Sequence, residues 1–355
     1  MIVPLRAAVP ETCGGKAGAL GALLRAGLPV PDGFVVPFAD AGADLRRAVE
    51  EFGDAPVAVR SSASDEDTAH ASAAGQYESF LAVRGPDAVI EAVRACRASL
   101  FTPRALDHHG DRAMAVLIQR HLDADVSGVL FTPAAPHDPA RIEASWGLGP
   151  SVVGGTVTPD TYLVAESVTR TIARKRTRLD RRGGELVTSD VPLDARDRPA
   201  LDDATATALA ALGRTIAAVR GGPQDVEWAI AGGRTWILQA RPITAAPPPL
   251  ASAALNGMPG SHGVATGTAR IVRGPDDFAR VRPGDILICP FTDPAWTPLL
   301  RIAAGVVTET GGVLSHAAIV ARERGIPAVL GIQDVTNTLH DGATITIDGT
   351  TGTIT

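Results

Sequence analysis

The clearest succession of apolar and polar positions lies between residues 306 and 331. Val306 and Val307 are β-branched and apolar, and predict a buried strand end. Gly311 and Gly312 follow, allowing a sharp turn and a close approach of the backbone to a bulky partner. Ser315 is a good N-cap, so a short helix is predicted to open on His316 and run through Arg324. Gly325 ends it and Pro327 bars its continuation. Earlier in the chain, Leu20, Leu23 and Leu24 have helical spacing and stop near Gly27. Residues 57–59 and 115–118 are apolar runs of strand length, and residues 125–132 read as a loop and a strand. Residues 225–230 and 234–240 flank Ala-Gly-Gly and predict a β-hairpin, and residues 347–355 predict a closing one.

The chain has 355 residues, 45% of them hydrophobic and only 4% aromatic, which is enough for two cores of a soluble α/β protein. The net charge of −6 gives no reason to expect a nucleic-acid partner. The basic cluster at residues 174–178 with Arg181 and Arg182 is expected to be a solvated hairpin. Cys13, Cys96 and Cys289 are far apart and lack metal-site spacing, which suggests a reducing compartment and a cytoplasmic protein. No charged-then-apolar leader opens the sequence, and no apolar run reaches membrane length.

Four places have residue types suited to chemistry. A histidine in the first turn of a helix is biased toward the neutral, nucleophilic imidazole, and a phosphoryl group on it would meet helix N–H groups. His316 therefore reads either as a nucleophile or as a simple capping residue. Lys16 follows Gly14 and Gly15 at the start of the predicted helix, where a phosphate could be held, although the spacing is not that of a Walker loop. The strand at residues 57–59 delivers Arg60 into a Ser-rich loop, and arginine suits bidentate phosphate contact. Asp65, Glu66 and Asp67 read as a solvated acidic turn. In the hairpin, Glu227 and Gln239 act together only if their faces agree.

Residues 308–331 resemble the phosphohistidine signature of the PEP-utilising enzymes: PEP synthase, pyruvate phosphate dikinase and rifampicin phosphotransferase. The likeness extends from about residue 257 to 355, a swivelling phosphohistidine β/α domain, and implies that His316 is the phosphorylated residue. Leu314 stands where PEP synthase and the dikinase usually have Thr, which is closer to the rifampicin phosphotransferase pattern. Thr308, Glu309 and Thr310 are expected to position the histidine loop, and residues 284–300 match the family's strand and TDPxWxP loop. Residues 1–244 resemble the ATP-grasp domain of the same enzymes, shortened between Lys16 and Arg60. The resemblance implies that Lys16, Arg60 and Arg241 contact ATP phosphates and that residues 72–76, with Ser72, Gly75 and Gln76, form a lid. It also implies that Gln119 through Leu122 lie at the adenine, mostly through backbone groups, and that Glu227 and Gln239 hold Mg²⁺. Ala73 replaces an aromatic of the family, and Pro150 replaces a glutamate. Residues 245–256 form a Pro- and Ala-rich linker suited to a hinge.

The fold class expected is therefore α/β (α+β), with ATP-grasp and carrier domains. The expected function is a dikinase-type phosphotransferase that phosphorylates His316 from ATP, releases AMP and Pi, and passes the phosphoryl group on. The third module of these enzymes has no counterpart in the sequence, so an acceptor on a separate partner subunit, or one bound between the domains, is expected. Two alternatives remain open: self-contained phosphorylation of an antibiotic or metabolite hydroxyl, and a degenerate nucleotide-binding or regulatory protein.

Overall fold

The strand Met114–Arg120 has no apolar–polar alternation because both of its faces are covered. Ala115 and Leu117 face Leu20 and Leu23 of the helix Pro10–Arg25. Val116 and Ile118 face Val89 and Val93 of the helix Pro86–Ala98 and Val49 of the helix Leu45–Phe52. In this computed structural model, residues 1–39, 44–64, 66, 77–101, 113–135, 138–243 and 257–355 are described. The lid residues Ser72, Gly75 and Gln76, together with Ala73, Asp65, Asp67 and the linker 245–256, lie outside them.

Met114–Arg120 is central to a five-stranded antiparallel sheet in the order Val3–Pro4, Gly33–Val36, Met114–Arg120, Val57–Ala63 and Ser79–Val83. A second, six-stranded antiparallel sheet runs Arg234–Pro242, Gln224–Ala231, Val126–Phe131, Ala140–Trp146, Asp160–Val164 and Val168–Thr171. One face of it is covered by the helix Asp203–Arg220 through Leu209 and Ile216. Asp202 caps that helix by accepting from the Thr205 N–H at 2.7 Å. Trp228 and Ile237 join this sheet to the helix Pro10–Arg25 in one core.

The strands Thr177–Arg182 and Glu185–Asp190 form the hairpin expected of the basic cluster. Lys175 in that cluster is not solvated. It is fully buried and its Nζ donates to Asp160 Oδ1 at 2.6 Å. Asp160 also accepts from the N–H groups of Ala173 and Ala200, so one buried carboxylate gathers three chain segments.

The C-terminal region is a seven-stranded sheet in the order Met258–Ser261, Ala328–Leu330, Gly305–Thr308, Ile286–Cys289, Val264–Ile271, Thr344–Asp348 and Thr353–Ile354. Its four inner strands, from Ala328–Leu330 to Val264–Ile271, pair in parallel. The helix His316–Arg324 packs on one face against Leu287 and Val306, while Ile288 and Val307 point into the core on the other. This helix follows the C-terminal end of Gly305–Thr308, the edge of a parallel sheet where ligands gather. His262 is an exposed turn residue between two strands. All three cysteines are free and buried. Among the described residues no helix is long and apolar enough to cross a membrane.

Candidate active site

A cavity of about 520 Å³ opens between the two N-terminal sheets. Leu122, Ala124, Leu148, Ala229 and Leu238 line an apolar part of it. Lys16, Arg60, Glu227, Gln239 and Arg241 line a charged part. An apolar slot beside fixed cations suits a flat base carrying an anionic chain. The Met114–Arg120 strand and its exit bring Gln119 and Leu122 to the wall. Gln119 is itself fixed, its Nε2 donating to the Pro31 carbonyl at 2.9 Å.

Lys16 follows the glycine turn as its sequence predicts. A short helical turn from Pro10 comes first, and Gly14, whose φ of 79° is left-handed, separates it from the helix that carries Lys16. A Cβ at Gly14 would run into the Ser62 carbonyl, so glycine is required by space as well as by conformation. Ser62 stitches the kink: its Oγ donates to the Cys13 carbonyl at 2.7 Å and accepts from the Ala17 N–H at 3.0 Å. Residues 60–62 are not a loop, because the strand Val57–Ala63 runs through them. Lys16 is buried, donating to the Ser61 carbonyl at 3.0 Å and to Glu66 Oε1 at 2.5 Å. Glu66 is therefore no solvated turn residue: it is buried as the lysine's counter-ion and accepts from the Ala63 N–H.

The hairpin Gln224–Ala231 and Arg234–Pro242 turns at Gly232 and Gly233, both left-handed, as a two-residue turn requires. Its register places Glu227 directly opposite Gln239, so the faces agree. Arg60 crosses from the other sheet. Its Nη2 lies 3.3 Å from Glu227 Oε2 and 2.8 Å from Gln239 Oε1, and its Nη1 donates to the Leu238 carbonyl at 2.6 Å. A cationic nitrogen thus sits where two oxygen donors converge, which is the chemistry of a hard-cation site. Among the described residues no group of three or more acidic, histidine or cysteine side chains gathers to hold a metal. Such an ion would need further oxygens from phosphate and water, which suits Mg²⁺. Arg241 pairs with the buried Asp225 at 2.9 Å, and burial raises the Asp225 carboxyl above its ordinary value.

His316 is 4% exposed. Its Nδ1 lies 3.0 Å from Thr292 Oγ1, and its Nε2 has no hydrogen-bond partner among the described residues. Burial, with the nearby Arg241 charge, lowers its pKa from 6.5 to about 4, so the ring is neutral near pH 7. His316 does not itself line the cavity, but Arg241 does, and so does Pro294 of the loop that carries Thr292. Ser315 holds the N-cap position of the helix without a side-chain cap bond, and its Oγ is buried. The helix ends at Gly325 in the left-handed region, as its sequence predicts.

The histidine loop is held against the second sheet. Val313 and Leu314 pack on Val129, Phe131, Val152 and Val157. Thr310 Oγ1 donates to the Gly155 carbonyl at 2.6 Å, and Glu309 accepts from Thr336, which orders the loop from its own side. Arg322 donates to the carbonyls of Val313 and Gly260, both at 2.7 Å. Glu143, in the strand Ala140–Trp146, accepts from the Leu314 N–H at 3.3 Å. Sequence reasoning missed Glu143, Thr292 and the pairing role of Glu66. Thr292 lies in the recognisable TDPAW run. Glu143 alternates with Arg141 and Ser145 in its strand, a pattern that reads as a solvated face although all three side chains are buried.

Two antiparallel sheets thus enclose a cavity with an apolar slot and a cationic end, next to a buried histidine on a parallel β/α unit. Residues 38–255 match the pyruvate phosphate dikinase, AMP/ATP-binding domain family, and residues 281–352 match the PEP-utilising enzyme, mobile domain family. The chain belongs to this family of PEP-utilising enzymes, and its fold is α/β of the ATP-grasp type followed by a β/α carrier. It is 36% identical over 419 positions to a probable phosphoenolpyruvate synthase of Methanothermobacter thermautotrophicus, covering 96% of this chain and 61% of that protein. It is 36% identical over 341 positions to the phosphoenolpyruvate synthase of Escherichia coli strain K12, covering 84% of this chain and 43% of that protein. The first alignment is longer than the 355-residue chain, so the relative has residues within the matched stretch that this chain lacks. A D-alanine–D-alanine ligase structure from Coxiella burnetii aligns at 11% identity over 66% of this chain and 48% of that one, with a TM-score of 0.32.

Proposed function

We propose that this chain is an ATP-dependent phosphotransferase of the dikinase type, with residues 1–244 as nucleotide domain, 245–256 as linker and 257–355 as carrier. The observation that carries the reading is Arg241: it lines the nucleotide cavity and its charge reaches the buried His316. One guanidinium thus serves the donor phosphates and the acceptor ring.

Thr292 accepts from Nδ1–H, which leaves the lone pair on Nε2. Nε2 attacks the β-phosphorus of ATP, the bond from the β-phosphorus to the α,β-bridging oxygen breaks, and AMP leaves. Water then removes the terminal phosphate as Pi, and His316 retains one phosphoryl group. Lys16, Arg60 and Arg241 neutralise developing charge on the phosphates. Gln119 and Leu122 border the base. Mg²⁺, held by Glu227 and Gln239, would supply further charge neutralisation when bound with the nucleotide. Arg60 would then turn from the two side chains to the phosphate. The phosphoryl group passes to an acceptor on a separate subunit or bound between the domains.

The test is incubation with Mg²⁺ and ATP labelled at the β-phosphate, beside His316→Ala. Acid-labile label on the wild type only, with AMP formed, supports the reading. Absence of both label and nucleotide binding overturns it.

A further inference from the structure

Glu143 is fully buried, and its own sheet supplies no donor for its Oε2. The carboxylate instead faces the backbone of the histidine loop. Its Oε2 accepts from the Leu314 N–H at 3.3 Å, while Oε1 has no hydrogen-bond partner among the described residues. Gly312 passes so close that a Cβ there would collide with both carboxylate oxygens and Cδ. The loop glycine and the carboxylate are therefore fitted to one another across the two regions of the chain.

The sheet register gives this contact a place in the reaction geometry. Gln239 is opposite Glu227, Glu227 is opposite Val129, and Val129 is opposite Glu143. Residues directly opposite in a sheet share a face, so all four project toward the same side. Two strand spacings separate Glu227 from Glu143, about 10 Å. One rigid cross-strand row thus carries the metal-binding pair at one end and the anchor of the histidine loop at the other. In the adjacent row Arg241 is opposite Asp225, Asp225 opposite Phe131, and Phe131 opposite Arg141. The arginine that reaches His316 is fixed by the same frame.

We propose that Glu143 is a positioning residue: by accepting from the backbone of the histidine loop it sets His316 at a fixed distance from the nucleotide phosphates during transfer. This rests on the phosphotransfer reading above. An apolar patch alone, here Val313 and Leu314 on Val129 and Phe131, permits sliding by a fraction of a side chain. A directed hydrogen bond to the main chain does not. Desolvation of the carboxylate opposes its gain, so the bond specifies register without locking a carrier that must leave.

The experiment compares wild type, Glu143→Ala, Glu143→Gln and Gly312→Ala in three readouts: single-turnover labelling of His316 at saturating Mg²⁺–ATP, ATP dissociation constant, and hydrogen exchange at the Leu314 amide. Glu143→Ala is expected to slow labelling about 10- to 100-fold with ATP affinity unchanged, and to release amide protection. Glu143→Gln, which retains an acceptor, should restore both. Gly312→Ala, which pushes the loop off from the other side, should mimic Glu143→Ala. Wild-type labelling and protection in a folded Glu143→Ala protein would overturn the proposal, as would parallel loss of ATP affinity and labelling. If the wild type takes no label, the phosphotransfer reading fails, and the exchange data alone decide whether Glu143 holds the loop.

Discussion

Glu227 stands opposite Gln239 across a two-stranded hairpin, and one nitrogen of Arg60 bonds to both side chains. Two oxygen donors are too few to hold Mg²⁺ tightly without help. Mg²⁺ alone is therefore expected to bind weakly, and Mg²⁺ with a non-hydrolysable ATP analogue much more tightly, by calorimetry. Glu227→Gln should weaken the second binding far more than the first. Arg60→Ala should reduce labelling of His316 by about 100-fold while freeing the Glu227 and Gln239 oxygens.

His316 and Glu143 are expected to respond to pH in opposite senses. Burial lowers the His316 pKa from 6.5 to about 4, and raises that of Glu143 from 4.5 to about 7 against the pull of Arg141 and Arg322. The released carrier re-exposes both groups. Between about pH 4 and 6.5 the released histidine binds more protons than the docked one, so its contribution to docking is lost as pH falls. Between about 4.5 and 7 the docked Glu143 binds more protons than the released one, so its contribution is lost as pH rises. The wild type should show nearly flat docking across pH 5–6.5 by hydrogen exchange at the loop. Glu143→Gln should then lose docking toward acid, and His316→Ala toward neutral pH.

Gly14→Ala and Gly312→Ala should separate folding from docking. Gly14 combines a left-handed φ with the Ser62 carbonyl in the path of a Cβ, within the core that Ser62 ties together. Its replacement is expected to cost about 3 kcal/mol or more in denaturant unfolding. Gly312→Ala should leave the unfolding midpoint near that of wild type, because the collision can be relieved by moving one region off the other.

Lys175→Ala should be severely destabilising, by about 3–5 kcal/mol, because it strands the buried Asp160 beside Tyr162 and two backbone donors. Asp160→Asn together with Lys175→Met should recover part of that loss. Chemical denaturation of the three proteins measures it.

The residues legible in the sequence are those whose meaning is carried by near neighbours in the chain. The strand, Gly-Gly turn, histidine and Gly325 cap occupy one continuous run, and the hairpin announces itself through Ala-Gly-Gly between two alternating strands. Partners fixed by tertiary contact gave no such signal. Glu66 and Lys175 each sit in a charged cluster that reads as solvated, and each is buried because an opposite charge from another element meets it. The helical turn from Pro10 that precedes the Gly-Gly-Lys turn was not legible, because nothing in its own residues announces it; Gly14 then separates it from the helix that carries Lys16. Glu143 acts on a loop 171 residues away, and no local pattern encodes that distance.

The burial of His316 bears on the lifetime of the species it would form. Phosphohistidine decays by attack of water, and a ring only 4% exposed is screened from that attack while the carrier lies on the second sheet. Storage time of the activated enzyme would then be governed by how often the loop lets go of Glu143, and not by the intrinsic lability of the phosphorus–nitrogen bond. Under the proposed phosphotransfer, the charged chain would persist while docked and hand on its phosphoryl group after departure.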